Sequence, residues 1–328
     1  MLSEVVRLLR CPVCGAGLTC DDRVLRCGAG HSYDIAKYGY VSLLAGRAPA
    51  GDTAEMVAAR EEFLAAGHYR WLADLIADAA CLVITGRGHA GSVGDAGRGA
   101  PSSADPDAVV SASVGDAGRR RASLAGPRTA GGSGGTDPGG VVVDAGAGTG
   151  YHLAAVLDRL PDTVGIAVDS SAYALRRAVR AHPRIAAVRA DLWRELPLVD
   201  GAADLVLNVF APRHGAEFRR VLAPDGVLLT VTPTGRHLAE LVDRLGLLSV
   251  DEEKDRRLTE SLGEWFTLED ATEHEVTLRL DHAAVGGLVG MGPSARHTDA
   301  AALAARIAAL PDPMPVTASC RLTHWRPR

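Results

Sequence analysis

The segment Val141-Val142-Val143-Asp144-Ala145-Gly146-Ala147-Gly148-Thr149-Gly150 carries the strongest chemical signal in the chain. Three β-branched residues run into an acid, glycine then recurs at every second position, and a helical pattern follows from Tyr151 and His152 to Leu160. That order describes a buried strand turning sharply into a helix. Glycines at such a turn let a ligand lie against bare backbone. A second acid, Asp169, ends the next apolar run, Val164 to Val168, 19 residues after Gly150. The spacing suits a carboxylate that grips ribose hydroxyls, so the loop is expected to bind an adenosine-containing cofactor.

The dinucleotide fingerprint is G-x-G-x-x-G, whereas this loop reads D-x-G-x-G-x-G. Asp144 would set negative charge where a pyrophosphate should sit, which disfavours NAD or FAD. It suits a ligand with a cationic amino group, and S-adenosylmethionine has that group, a sulfonium and ribose hydroxyls. The cofactor set is therefore expected to include Asp144, Gly146, Gly148, Gly150, Tyr151, His152 and Asp169. A purely structural strand–turn–helix corner is the alternative.

A second constellation sits near the start of the chain. Cys11-Pro-Val-Cys14 is followed by Cys27 and His31, a C-x2-C-x12-C-x3-H pattern. Two short-spaced pairs on successive turns supply the four ligands of a tetrahedral zinc site. Cys20 is the spare. With six cysteines in 328 residues and no secretory leader to read, a reducing compartment and a metal outrank a disulfide, and a cytoplasmic location is expected. No apolar stretch is long enough to span a bilayer.

Lys plus Arg number 35 against 40 Asp plus Glu, which does not advertise a nucleic-acid protein. The charge is uneven, though. Residues 1–47 carry Arg7, Arg10, Arg23, Arg26, Lys37 and Arg47 against Glu4, Asp21, Asp22 and Asp34. The closing stretch holds Arg321, His324, Trp325, Arg326 and Arg328, so a modest basic face could meet phosphates.

These groups need elements to position them. Residues 1–47 read as a zinc-binding module opened by a short helix, Met1 to Arg10, with Tyr33, Ile35, Tyr38, Tyr40, Val41 and Leu43 packing a small sheet. Residues 48–84 read as a helical linker. Asp52 and Glu55 resemble a capping box opening a helix from Thr53 to Ala66, and a second helix spans Tyr69 to Ala80. Residues 85–140 are rich in Gly, Ala, Ser, Asp and Pro and repeat Ser-Val-Gly-Asp-Ala-Gly-Arg at 92–98 and 113–119. Such a stretch buries too little surface to offset chain entropy and is expected to be a disordered insertion.

Residues 141–328 form the remaining domain. Strands are expected at Val141–Asp144, Val164–Asp169, Ile185–Asp191, Leu205–Phe210 and Val227–Val231, the last entered through a Pro224-Asp-Gly226 turn. Helices are expected at Leu153–Leu160, Tyr173–Ala181, Ala216–Leu222 and His237–Leu245. The fold class is α/β, a doubly wound, Rossmann-like parallel sheet with a small N-terminal zinc-binding domain. Asp144, Asp169, Asp191 and Asn208 fall at strand ends, where ligands bind. Asp191 would accept from an adenine amino group, with Leu192 or Trp193 covering the ring. Asn208, Arg213 and His214, at and after the fourth strand, are the candidates for substrate contact and catalysis, and Asn208 is also expected to bind the cofactor.

The order of these motifs resembles the bacterial 23S rRNA guanine-N1 methyltransferases. The resemblance runs through the zinc motif, Tyr33-Asp-Ile-Ala-Lys37-Tyr-Gly39-Tyr40-Val-Ser-Leu-Leu44, and Gly51-Asp52-Thr-Ala-Glu55-Met56 through Arg60 to Ala66-Gly67-His68-Tyr69. It continues in Thr232-Pro-Thr-Gly-Arg236-His237-Leu, Met291-Gly-Pro293 and Leu322-Thr-His-Trp325. Within that family the chain resembles the branch linked to tylosin and mycinamicin resistance. The resemblance implies a class I methyltransferase using S-adenosylmethionine, structural Zn2+ on Cys11, Cys14, Cys27 and His31, and methyl transfer to a guanine of a 23S rRNA stem-loop near the peptide exit tunnel. It also implies a homodimer. Because N1 lies on the pairing edge, the base must be unpaired or flipped, and Tyr40, Tyr69, Phe210 and Trp325 are the stacking candidates. Two rival readings are a small-molecule methyltransferase with a zinc-ribbon lid, and an interaction protein whose methyltransferase domain is inactive.

Overall fold

The computed structural model describes residues 1–46, 51–86, 139–247, 252–292 and 300–328. The expected low-complexity insertion lies outside the described residues, except that Thr85 and Gly86 end a helix and Gly140 opens a strand. The N-terminal helix is shorter than expected, with α1 at Leu2–Val5 running into a 3-10 turn at Val6–Leu8. Strands β1 (Leu18–Asp21), β2 (Val24–Cys27) and β3 (Ser32–Asp34) form an antiparallel sheet, and β4 (Val41–Ser42) follows. Helices α2 (Ala54–Ala65) and α3 (Arg70–Gly86) come next. The alternating region then runs β5 (Gly140–Ala145), α4 (Tyr151–Arg159), β6 (Thr163–Asp169), α5 (Ala172–Ala181), β7 (Ile185–Arg189), β8 (Ala203–Val209), α6 (Gly215–Val221) and β9 (Leu222–Pro233). Beyond it lie α7 (Ala239–Leu245), α8 (Glu252–Leu262), β10 (Phe266–Leu280), α9 (His282–Gly290), α10 (Ala300–Ala308) and β11 (Met314–Pro327).

The main sheet has the order β10-β11-β9-β8-β5-β6-β7-β4. From β9 to β4 every neighbour is parallel, while β11 and β10 add two antiparallel strands at one edge. The expected doubly wound parallel arrangement holds for β5 to β9, and β10 and β11, for which no strands were expected, make the whole sheet mixed. The signal was present at period two, in Val276, Leu278 and Leu280 and in Val316, Ala318, Cys320 and Leu322. Strand β9 also starts earlier than expected. Pro224-Asp-Gly226 falls inside it, where pairing with β8 shifts register between Ala203 and Leu205.

Alternation along the central strands divides the core into two faces. Val142 packs with Leu72 and Ile76 of α3 and Leu153 and Leu157 of α4. Val141, Val143 and Ala145 pack on the other face with Phe218 and Val221 of α6 and with Leu9, Leu25, Val41 and Leu43 from the start of the chain. A sheet of three- and four-residue strands cannot enclose a core, so its apolar residues use the large sheet instead. This corrects the expectation that Tyr38, Val41 and Leu43 pack the small sheet: Val41 joins β7 as an edge strand and the Leu43 N–H donates to the Arg189 carbonyl at 2.9 Å. Arg10 ties the same region down through its N–H to the Pro197 carbonyl at 3.1 Å and through an ion pair with Glu195.

Thr53, not Asp52, caps α2, its hydroxyl accepting from the Met56 N–H at 3.3 Å. The Asp52 carboxylate is left to pair with Arg60, Oδ2 to Nη1 2.5 Å. Among the described residues no helix is long and apolar enough to cross a membrane.

Candidate active site

Strand order reverses between β5 and β8, and ligands in such sheets sit beyond the carboxyl ends at that point. A cavity of about 450 Å³ lies there, a size suited to a cofactor. Its floor is Gly146 to Thr149 after β5 and Asp169 and Ser170 after β6; its sides are Asp191 to Trp193 after β7 and Val209 to Pro212 after β8. The linker helix α2 closes it with Met56, Arg60 and Leu64, joined by Tyr69 and Met291.

The glycine loop is built as its spacing requires. Gly148 has φ +53°, and a Cβ there would meet nothing nearer than Arg60 Nη1 at 3.5 Å, so bare backbone faces the cavity. Its N–H donates to Asp169 Oδ2 at 2.9 Å, and the Ser171 N–H donates to Oδ1 at 2.8 Å. These bonds orient Asp169, while burial raises its carboxyl above the ordinary range. Gly150 serves packing instead: a Cβ there would lie 2.9 Å from Ala178 Cα, and the residue does not line the cavity.

Asp191 lines the cavity with its Oδ1 accepting from the Trp193 N–H at 3.0 Å, beside Leu192 and a Trp193 that is 62% exposed. Tyr151 and His152 line it from α4. Burial pushes the His152 imidazole down to about 4, so it is neutral.

Other expected residues stand elsewhere. Asp144 is buried beneath the loop and does not line the cavity. Burial first, and the Asp169 charge second, push its carboxyl up to about 7, and its Oδ1 has no hydrogen-bond partner. Asn208 is also fully buried. Its Nδ2 donates to the Ala145 and Pro212 carbonyls, both at 2.9 Å, which ties the end of β5 to the loop after β8. Arg213 and His214 lead into α6 and neither lines the cavity. Of the stacking candidates, Trp325 is buried in β11 with Nε1 donating to Thr323 Oγ1 at 2.9 Å, and Tyr40 is half-buried against the core. Tyr69 is buried but reaches the cavity, packing edge-on against Phe63. Phe210 alone of the four is exposed, at 40%. It holds a left-handed backbone at φ +50° and its ring lies 5.6 Å from that of His237. A large side chain in that conformation is costly and is characteristic of functional loops.

Sequence reading missed Arg60 and Asp52 as cavity residues. Arg60 Nη2 donates to the Met291 carbonyl at 3.0 Å while Nη1 holds Asp52, so one guanidinium joins α2 to the end of α9 above the glycine loop. The C-terminal basic cluster is also not a free face: Arg321 pairs with Glu273 at 2.6 Å and Arg326 with Glu269 at 2.9 Å across β10 and β11.

The donor set decides which ligand fits. Among the described residues three carboxylates, Asp52, Asp169 and Asp191, and one arginine, already paired, line the cavity. That balance repels a pyrophosphate and suits a cation bearing hydroxyls, as S-adenosylmethionine is.

The N-terminal cysteines pass a geometric test for zinc. The ligand atoms of Cys11, Cys14, Cys27 and His31 lie within 4.8 Å of one another, and Cys20 is outside the group. Cys14 Sγ to Cys27 Sγ is 3.7 Å, Cys11 Sγ to His31 Nδ1 3.6 Å and Cys27 Sγ to His31 Nδ1 3.4 Å. Sulfurs about 2.3 Å from a tetrahedral zinc stand roughly 3.8 Å apart, so these three distances match edges of that polyhedron. The Tyr33 hydroxyl lies 3.0 Å from Cys11 Sγ, placed to donate to a metal-bound thiolate as supporting bonds in metal sites do.

Comparison with known proteins agrees with both sites. The zinc-ribbon family described as "RlmA, N-terminal" matches residues 9–47, and the family described as "Methyltransferase domain" matches residues 142–226. A Micromonospora griseorubida protein named as a candidate 23S rRNA (guanine-N1) methyltransferase is 52% identical over 332 residues, covering all of both chains. The 23S rRNA (guanine(748)-N(1))-methyltransferase of Streptomyces fradiae is 44% identical over 330 residues, covering 100% of this chain and 99% of that one. YxjB of Bacillus subtilis, also named as a candidate guanine-N1 methyltransferase, is 26% identical over 304 residues, 88% of this chain and 86% of that one. S-adenosylmethionine and zinc are thus the cofactors, and the readings as a small-molecule or an inactive methyltransferase fall away. The chain belongs to the 23S rRNA (guanine-N1) methyltransferase family.

Proposed function

We propose that the protein transfers the methyl group of S-adenosylmethionine to N1 of the guanine equivalent to 748 in 23S rRNA. The observation that carries this is 44% identity, spanning the whole of both chains, with the Streptomyces fradiae enzyme named for that nucleotide. The target is a stem-loop near the peptide exit tunnel, the working form is a homodimer in the cytoplasm, and the outcome is resistance to tylosin- and mycinamicin-type macrolides. These finer points rest on the motif resemblance.

The bound cofactor supplies an activated methyl on a sulfonium, so no covalent enzyme intermediate is needed. The chain's own residues orient the partners. The backbone at Gly146 and Gly148 would cradle the donor, Asp169 would take the ribose hydroxyls, and Asp191 and Leu192 would take the adenine, all of them lining the cavity. Asp169 is suited to this because backbone donors already fix its carboxylate. Phe210 stands at the open side, where an extruded guanine would stack and bring its pairing edge to the donor. Alignment at contact distance in a site closed by α2 then lowers the barrier, guanine N1 gaining the methyl as its proton passes to water and the S–C electron pair stays on sulfur. Asn208 acts beneath the site, tying the end of β5 to the loop after β8.

The test is methyl transfer to unmodified 23S rRNA, read by primer extension. N1 methylation blocks base pairing, so one new stop is expected next to the target guanine. Phe210→Ala should lower kcat/KM about 10-fold or more through lost stacking, with the Kd for S-adenosylmethionine unchanged. No stop, with cofactor binding intact, overturns the proposal.

A further inference from the structure

Outside the cavity, one surface combines aromatic and cationic groups with no acidic partner. Arg176 of α5 lies between two tyrosines, its guanidinium carbon 4.6 Å from the Tyr38 ring centre and 5.2 Å from that of Tyr173. Lys37 Nζ stands 4.9 Å from the same Tyr38 ring. Tyr38 and Tyr173 are 38% and 42% exposed. Helix α5 carries Arg176, Arg177 and Arg180 and no acid. Arg177 is paired with Glu61 at 2.9 Å, but among the described residues Lys37, Arg176 and Arg180 have no carboxylate partner.

The placement is specific. Tyr173 stands in the first turn of α5, two residues after the capping Ser171 and three after Ser170, which lines the cavity. Tyr38 stands on the loop leaving the zinc ribbon. That loop is held from within by Arg23 Nη2, which donates to the Ile35 and Ala36 carbonyls at 3.1 and 2.8 Å. It is seated on α5 where Gly39 approaches Val179 so closely that a Cβ would lie 3.0 Å from Cγ1. The three groups therefore form a track from the cavity rim to the zinc ribbon.

We infer that Tyr38, Arg176 and Tyr173 form a second RNA contact, taking unpaired bases on the two rings and a phosphate on the guanidinium. The inference rests on the rRNA reading above. Exposed rings beside unpaired cations are the recipe for holding single-stranded nucleic acid, since every base has a face to stack and every link a negative charge. Arg176 orders the rings in the free protein, so little freedom is lost on binding. A target base presented to the cavity needs its flanking nucleotides held nearby, and this track is where they would run.

The test is equilibrium binding of a transcribed 23S rRNA hairpin containing the target loop, across a salt series, beside calorimetric titration of S-adenosylmethionine. Tyr38→Ala and Tyr173→Ala should each weaken the hairpin at least about fivefold with an unchanged salt slope, while Tyr→Phe at either position restores affinity. Arg176→Ala should also reduce the salt slope by about one. Cofactor affinity and melting temperature stay at wild-type values, which separates lost contact from lost fold. Should Tyr38→Ala fail to fold, Tyr173→Ala alone carries the same expectation. Wild-type hairpin affinity in the tyrosine variants overturns the inference alone. A wild-type protein that binds cofactor but not the hairpin overturns the rRNA reading and the inference with it.

Discussion

Two glycines of one loop should fail in opposite ways when each gains a single methyl group. Gly150 has φ +79°, and a Cβ there would lie 2.9 Å from Ala178 Cα and 3.1 Å from Ala178 Cβ. Left-handed backbone costs an L-residue about 1–2 kcal/mol, and forcing a methyl against the backbone of α5 adds about 1–3 kcal/mol. Gly150→Ala should therefore lose about 2–5 kcal/mol, a fall in Tm of roughly 4–20 °C for a body of this size. Gly148 has φ +53° but only Arg60 Nη1 at 3.5 Å, so Gly148→Ala keeps the backbone cost and escapes the clash. Its methyl instead enters the cavity. Overpacking of about 1–3 kcal/mol there weakens S-adenosylmethionine about 5- to 150-fold. Thermal melts and calorimetric titration of both variants give four numbers. A Gly150→Ala protein as stable as the parent, or a Gly148→Ala protein with parental cofactor affinity, would refute the assignment of one glycine to packing and the other to the ligand.

Chelation of zinc should lower the melting temperature of the whole protein rather than loosen the ribbon alone, because Cys11 and Cys27 share a core with Val141, Val143 and Ala145 of the main sheet; one zinc per chain by elemental analysis and an unchanged Tm after its removal would contradict this. Acid should also destabilise the protein through His152, whose imidazole burial pushes from 6.5 down to about 4. The folded form stays neutral while the unfolded chain takes up a proton below about 6.5, so stability is full above that pH and falls by about 3 kcal/mol as it nears 4. His152→Gln should flatten that part of the stability–pH curve, and parallel curves for the two proteins would exclude the explanation.

The division between sequence and structure follows the range of the forces involved. Cys11, Cys14, Cys27 and His31 were legible because zinc ligation is a demand of local spacing, and the cluster closes within 4.8 Å. Gly148 and Asp169 were legible for a similar reason: a strand, a tight turn and the next strand end fix their relation, down to the 2.9 Å bond between them. The five central strands followed from apolar runs alone. What chain order could not reveal was which polar residue at a strand end faces ligand and which faces protein. Asp144 and Asn208 have the same kind of neighbours in sequence as Asp169 and Asp191, yet the sheet turns the first pair inward, where Asn208 spends its donors on the Ala145 and Pro212 carbonyls. The closing of the cavity by Arg60, the pairing of Arg321 and Arg326 across β10 and β11, and the meeting of Tyr38 with Arg176 all join residues more than 45 positions apart. Such contacts depend on how whole elements pack, because side chains distant in the chain come together only when the cores between them are filled. Local spacing thus sufficed for the metal, the cofactor and the family, whereas packing of whole elements set which residues line the cavity, which are buried beneath it, and where cations are left unpaired on the surface.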